Sequence, residues 1–541
     1  MQIKMETSVA KSATDYMVVG VHADETLVKV LKDIFGASKA HADLAAKAAQ
    51  VAQDEGFKGK LGQVLSLPTY GLVSFKRLFL FGLGNAADSV KDDYTGYRKL
   101  GVSVSKRLMT SLRTAEKEDS DAAKNKSKTA KATTKTKSRN VSACICLASS
   151  KNKAGKGFDA SWPLTSVIEA FILSAFSYDK YKSMKDAGKQ AKLDAAADLS
   201  QFNLTVHGVD KANFDRAVKK GMSVGMAVNM ARGLIAEPPA YMTPTRLATE
   251  ARRIAKDHAL TVKVLEPAAI EKLGMGSFLG VARGAKEPPR FIVLKYTAPK
   301  SKKTVALVGK GVTFDSGGLS LKTAGGMEHM KYDMAGAAAV LASMQILGAL
   351  KPRVSVLAVI PATENMPGSN ALHPGDVLIA MNGKTIEVNN TDAEGRLILA
   401  DALTYAINEG ADELIDIATL TGAVVTALGR VAAGIMGSNQ KLVDDVIAAG
   451  RPSGEKYWQL PLFEEYKDAL KSDIADLKNA GSRGEAGSSC AAMFLKEFTA
   501  DKAWAHLDIA GVGWRESEKD ELCKGGVGFG IRTLCSYVLA Q

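Results

Sequence analysis

Asp392 and Glu394 stand two residues apart, and Gly395 and Arg396 follow them just ahead of an apolar run with helical spacing. Upstream lie Lys310, Asp315, Lys322 and Asp333. Like charges placed close together repel unless a cation lies between them. The four acids are therefore read as one cation site with lysines beside it. In an extended segment the side chains at i and i+2 share a face, which lets Asp392 and Glu394 converge. None of the seven histidines falls in these motifs except His329, which adjoins Met330. An oxygen-rich donor set suits Mn, Mg or Zn in a two-ion site better than a structural zinc. Two ions about 3.5–4 Å apart would share a water and lower its pKa. A lysine joins such a set only when neutral, and burial beside two dications depresses its pKa.

Each piece also has a plain reading. Lys310 and Asp315, in Gly309-Lys310-Gly311-Val312-Thr313-Phe314-Asp315-Ser316-Gly317-Gly318, can form an ordinary ion pair on a glycine loop. Asp333 can cap the Ala-rich helix that follows it. Asp392 and Glu394 can be solvated acids ahead of a helix.

The elements that must position these residues read as α/β. Residues 304–308 are a buried strand that opens into the glycine loop, and ligand sites in open α/β sheets lie beyond the carboxyl ends of strands. Further strands are expected at 261–264, 290–296, 353–359, 413–417 and 504–508. Helices are expected at 246–259, 335–347, 395–408, 441–449, 462–470 and 491–498. The hairpin 377–388 turns on Asn382-Gly383. This makes residues 235–541 a catalytic α/β domain with a mixed central sheet. Residues 1–210 form an N-terminal α/β domain, with strands at 16–21, 77–84, 141–147 and 202–206 and helices at 97–112 and 164–181. A helix at 211–234 links the two. Thr243 or Thr245 is placed to cap the helix after it.

Composition is that of a globular protein, 46% hydrophobic and 24% charged. Five cysteines match no zinc or disulfide framework, so free thiols in a reducing compartment are expected. Cys144 and Cys146 share a strand face and are read as two buried thiols. The first sixteen residues lack the apolar core of a signal peptide, and no run reaches a membrane span. A cytoplasmic protein is expected. The net charge of +13 hints at nucleic acid, but seven basic and no acidic residues fall between Lys124 and Arg139. Residues 114–140, rich in Lys, Ala, Thr and Ser, are expected to be a disordered insertion. No interleaved aromatics or helix-turn-helix pattern supports specific nucleic-acid recognition.

Three blocks carry a resemblance: Val308 to Gly318, Met330-Lys331-Tyr332-Asp333-Met334, and Asn390-Thr391-Asp392-Ala393-Glu394-Gly395-Arg396-Leu397. With Trp504-Ala505-His506-Leu507-Asp508-Ile509-Ala510-Gly511 they resemble the signatures of the leucyl, or cytosol, aminopeptidase family over residues 225–535. The resemblance implies a dinuclear exopeptidase that takes N-terminal residues, leucine and other hydrophobic ones first, from peptides. It implies that Asp315 and Glu394 bridge two divalent ions (Mn, Zn, Co or Mg), that Asp392 completes the loosely bound site, and that Lys310 and Asp333 complete the tight one. Lys322 would polarise the scissile carbonyl and stabilise the gem-diolate. Arg396 would hold a bicarbonate ion acting as general base. Met330, Thr419, Gly422 and Ala510 would line the pocket for the first side chain. A homohexamer and a macro-like N-terminal domain are implied as well. Nucleic-acid binding is allowed by the resemblance without support from a motif. Three departures stand out: Gly513 where a mammalian relative is expected to carry Met, Gly528-Phe529-Gly530-Ile531-Arg532 where some members run Thr-Gly-Arg-Pro, and the Lys-rich insertion 114–140.

Overall fold

The computed structural model describes every residue except 7–13, 37, 87–93, 127–139, 148–159, 184–198 and 483, and only the backbone of 115–126. The chain divides into two compact units, residues 1–226 with 519–523 and residues 227–518 with 524–541. The division falls inside the helix Lys211–Ala236.

The first unit is built on six strands: β1 Gln2–Met5, β2 Tyr16–Val21, β3 Val64–Pro68, β4 Arg77–Gly82, β5 Val141–Cys146 and β6 Phe202–His207, in the order β1-β6-β5-β2-β4-β3. All pairs are parallel except β3 with β4. Cys144 and Cys146 are both fully buried on one face of β5, as expected. The helix expected at 97–112 runs from Thr95 to Lys126. The first part of the expected disordered insertion is therefore helical. Glu116, Lys117, Glu118, Ala122 and Ala123 are good helix formers, and they extend a helix already anchored by packing. The remainder of that insertion, 127–139, lies outside the described residues. The helix expected at 164–181 stops at Ser174.

The second unit centres on a nine-stranded mixed sheet. Its path is β16 Tyr457–Gln459, β15 Ala433–Gly437, β18 Ala503–Asp508, β14 Glu413–Ala418, β9 Thr304–Gly309, β11 Ser355–Asn365, β8 Arg290–Tyr296 and β7 Thr261–Leu265. A further strand, β10 Gly311–Asp315, pairs with the far end of β11. The core strands are continuous apolar runs, as expected of a sheet covered on both faces. Ten of the eleven residues of β11 are buried. The stretch read as a glycine loop is thus partly strand: β10 continues beyond Lys310, pairing Gly311 with Ala362 and Asp315 with Asn365. β11 also outruns the expected 353–359, because Pro361 falls where its pairing passes from β9 to β10.

The helices Ala335–Leu350 and Glu394–Asn408 are buried on nearly all sides. Residues Ala324–Leu350 reach the length and hydropathy of a membrane span, contrary to expectation, but 83% of the apolar window is buried inside this unit. Thr243, not Thr245, caps Pro244–His258 by accepting from Arg246 N. The hairpin β12 Val377–Ile379 and β13 Thr385–Glu387 forms at the expected place, with β17 Leu477–Lys478 beside it. The helix expected at 462–470 is a run of 3-10 turns, Glu464–Leu470.

Candidate metal centre

Strand ends and helix mouths bring the predicted residues together. Lys310 follows β9, Asp315 ends β10, Asp333 follows the turn Met330–Tyr332, and Glu394 opens its helix. Carboxylate oxygens of Asp315, Asp392 and Glu394 lie within 4.8 Å of one another. Lys310 Nζ is 2.9 Å from Asp333 Oδ2 and 2.8 Å from Glu394 Oε1, and it donates to the Thr419 carbonyl at 2.9 Å. Lys322 Nζ is 2.8 Å from Asp315 Oδ2 and also pairs with Asp392.

Two plain readings fall away. Asp333 does not cap the Ala-rich helix: the residue before that helix is Met334, and the Asp333 carboxylate accepts from Thr419 Oγ1 at 2.7 Å. Glu394 is buried and Asp392 is only partly exposed, with Oδ1 shielded and paired to Lys322, and the two do not share an extended strand. Ala393 N bonds back to the Asn390 carbonyl at 3.2 Å, so a turn swings Asp392 round to meet the first residue of the helix.

The electrostatics are those of charges packed closely in a largely buried cluster. Burial raises the Asp333, Glu394 and Asp392 carboxyls, and their mutual repulsion with Asp315 adds to it. Burial alone would push the Lys310 ammonium down, but Asp333, Glu394 and Asp315 outweigh it and hold it above its ordinary range. Lys322 is raised in the same way, against burial, by Asp315, Glu394 and Asp392. Asp333 Oδ2 and Asp392 Oδ1 are buried yet aligned with no hydrogen-bond donor, although a lysine ammonium lies close to each. Buried acceptors left so are rare. Carboxylate oxygens converging with one amine form a donor set that fits hard or borderline divalent cations.

Glycines allow this density. A Cβ on Gly395 would sit 2.8 Å from Lys310 Nζ, and Gly317 and Gly318 take φ of 86° and 63° to turn the chain behind Asp315. Arg396 is buried two residues on. Its Nη1 donates to the Asn479 carbonyl at 2.8 Å, its Nε has no partner, and burial brings it down to about 10.

Sequence reasoning missed two supports. Asn365, at the end of β11, donates from Nδ2 to Asp315 Oδ1 at 2.8 Å, to the Thr391 carbonyl at 3.0 Å and to Glu394 Oε2 at 3.4 Å. Asp508, at the end of β18, accepts from Thr421 Oγ1 at 2.6 Å and from the backbone N–H groups of Leu420 and Ala510, both at 3.2 Å. It thereby shapes the loop that carries Thr419. Both stand at carboxyl ends of strands, where ligand sites in open α/β sheets lie, but the strand that carries Asn365 was expected to end at 359.

The remaining candidates lie nearby. Tyr332 Oη donates to the Ala510 carbonyl at 3.3 Å, joining the Met330 turn to Ala510. Gly422 opens the short helix Gly422–Leu428 with open space beside it. A Cβ at Gly513 would lie 3.5 Å from Thr419 and 3.6 Å from Tyr332, but only 3.2 Å from the Ile509 carbonyl. At the C-terminal departure, Arg532 Nε pairs with buried Glu455 at 3.3 Å, and Glu455 also accepts from Gly530 N and Thr533 N. That segment anchors the helix Ile531–Leu539.

Comparison with known proteins gives a consistent result. Residues 229–535 match the cytosol aminopeptidase family catalytic domain, and residues 18–185 match the N-terminal domain of the same family. The chain is 40% identical over 491 residues to the "Probable cytosol aminopeptidase" of Alkaliphilus oremlandii, covering 90% of each. It is 48% identical over 384 residues to that of Solibacter usitatus, covering 71% of this chain and 77% of the relative. Among solved structures, a mutant of tomato leucine aminopeptidase superposes with a TM-score of 0.79 at 32% identity, covering 100% of this chain and 97% of that one. The bottromycin maturation enzyme BotP in complex with Mn does so at 0.76 and 31% identity, covering 97% and 99%.

Proposed function

The chain belongs to the cytosol aminopeptidase family, and from that premise we propose a dinuclear metal site that releases N-terminal residues, leucine and other hydrophobic ones first, from peptides. It is a metal-dependent aminopeptidase and hence a peptide hydrolase. The observation that carries the dinuclear reading is the convergence of Asp315, Asp392 and Glu394, with Lys310 and Asp333 directly behind Glu394.

In this reading Asp315 and Glu394 would be shared between the two ions, Asp392 would belong to one site, and Lys310 and Asp333 would belong to the other. Bound there, two divalent ions (Mn, Zn, Co or Mg) would supply an acidified shared water and a Lewis acid for the scissile carbonyl. Lys322 is held by Asp315 and Asp392; in this reading it would supply a fixed cation for the negative charge that develops on that carbonyl oxygen. Arg396 keeps a buried guanidinium with Nε free to hold a small planar anion such as bicarbonate, which would take the proton of the attacking water. Met330, Thr419, Gly422 and Ala510 receive the first side chain. A cytoplasmic homohexamer is the assembly that accompanies this reading.

Hydrolysis of leucine amide should vanish on chelation and return with Mn, Co or Zn. Glu394→Ala should abolish turnover while the melting temperature of the metal-free protein holds. Turnover retained by that variant, or unaffected by chelation, would refute the assignment. A panel of N-terminal residues then reads the preference directly.

A further inference from the structure

A second site stands in the N-terminal unit. The register of β2 and β4 sets Tyr16 opposite Arg77, and Arg77 and Phe79 point to the same face of β4. The helix Thr95–Lys126 crosses that face. Ser103, Lys106, Arg107 and Ser111 fall on it at spacings of three and four, one stripe of a helix. Together they line an open cavity of about 470 Å³.

Its charge is one-sided. Arg77, Lys106 and Arg107 line it, and among the described residues none of them has an acidic partner. The neighbouring carboxylate, Asp15, is already committed to Lys76 at 2.9 Å and to Ser142 N and Oγ at 3.0 and 2.9 Å. The Arg107 guanidinium lies 4.3 Å above the Phe79 ring, and its Nε reaches Ser103 Oγ at 3.5 Å. Arg77 spends Nε and Nη2 on Ser66 Oγ, at 3.1 and 3.0 Å, which leaves Nη1. Burial and the Arg77 charge hold Arg107 below the usual guanidinium range. Two guanidiniums that repel across an open groove, one of them partly buried, are relieved by an anion between them.

We propose that this cavity binds a phosphate monoester, with the dianionic phosphoryl group held by Arg77, Lys106 and Arg107. A dianion with three acceptor oxygens matches three separate cations better than a singly charged carboxylate does. The volume is that of a small-molecule pocket, about 300–1,000 Å³. No residue is shared with the metal centre, so the proposal does not depend on the reading of that site.

The test is calorimetric titration of the full-length protein with phenyl phosphate and with inorganic phosphate, at constant ionic strength in chloride. Binding with a Kd below about 1 mM is expected. Lys106→Glu and Arg77→Glu should each weaken it by about tenfold or more, while leucine amide turnover stays at the wild-type rate. Lys106 is exposed, so its variant guards against a folding defect. Equal affinity in wild type and both variants would overturn the proposal. So would silence toward both phosphates, or association with duplex DNA alone.

Discussion

The carboxamide of Asn365 holds the two proposed bridging carboxylates and the turn that presents Asp392. It touches ligands rather than substrate, so it acts as a positioning residue. Asn365→Ala should therefore weaken metal affinity by about 10–100-fold, as loss of a ligand's own hydrogen-bond partner typically does. Turnover at saturating Mn should largely recover, and a titration of activity against free Mn separates the two effects. An unchanged metal dependence would remove Asn365 from the site. A second buried polar residue works on stability. Asp401 Oδ2 accepts from Phe278 N at 2.8 Å and Oδ1 from Met381 N at 2.7 Å, tying its helix to two other segments. Burial raises its carboxyl to about 7, against the lowering effect of these N–H groups. A folded-state value above the unfolded one favours the protonated form. That contribution is complete below about pH 4 and is lost as pH rises through about 7. Melting temperature should therefore fall across that window in the wild type and less steeply in Asp401→Asn. The variant should start lower, since an amide nitrogen cannot accept from both N–H groups. Parallel pH curves for the two proteins would refute this role.

At the scale of elements, the metal centre depends on how closely the helix Ala335–Leu350 approaches β9 and β14. Ala337 N donates to the Lys310 carbonyl at 2.8 Å, and a Cβ on Gly336 would lie 2.1 Å from the Ile417 carbonyl. No side chain can yield there, because the obstacle is backbone. Gly336→Ala should cost at least the roughly 1–3 kcal/mol of ordinary overpacking and should displace Lys310, so thermal stability and metal affinity fall together. A variant that melts and binds Mn like the wild type would show that the helix can retreat. The same helix shows what was legible in the sequence. Its Ala-rich run, the strand 304–308 before it and the spacing of Asp392 and Glu394 were enough to expect the acids and lysines in one cluster. Pairing was not legible. β10 hides in a glycine-rich stretch because its partner is the end of β11, about fifty residues away in sequence, and local propensity carries no record of such a neighbour. Asn365 and Asp508 were missed for the same reason, since each matters only through residues brought to it by the sheet. The helix through Lys126 is the opposite case. There composition argued against order, and good helix formers continued an anchored helix.

At the scale of the whole molecule, every proposed metal ligand and pocket residue, from Lys310 to Ala510, lies in the second unit. Much of the basic surplus lies in the first, around residues 124–139. Chemistry and net charge are thus carried by different parts of the chain. The homohexamer of the proposed reading is checked by light scattering at working concentration: a mass near six times 57.2 kDa is expected. The separation of charge from chemistry gives a sharper prediction. Replacing residues 127–139 with a Gly/Ser linker of equal length removes five basic residues and no acidic one, and it keeps the span between the helix Thr95–Lys126 and β5. None of the removed residues is a proposed ligand or pocket residue. Turnover of leucine amide and its metal dependence should therefore match the wild type. Any salt-sensitive association with DNA should weaken, with a shallower slope of log affinity against log salt, because fewer phosphate counterions are released. A large loss of turnover would show that the segment serves the active site. An unchanged DNA slope would show that its charge is idle.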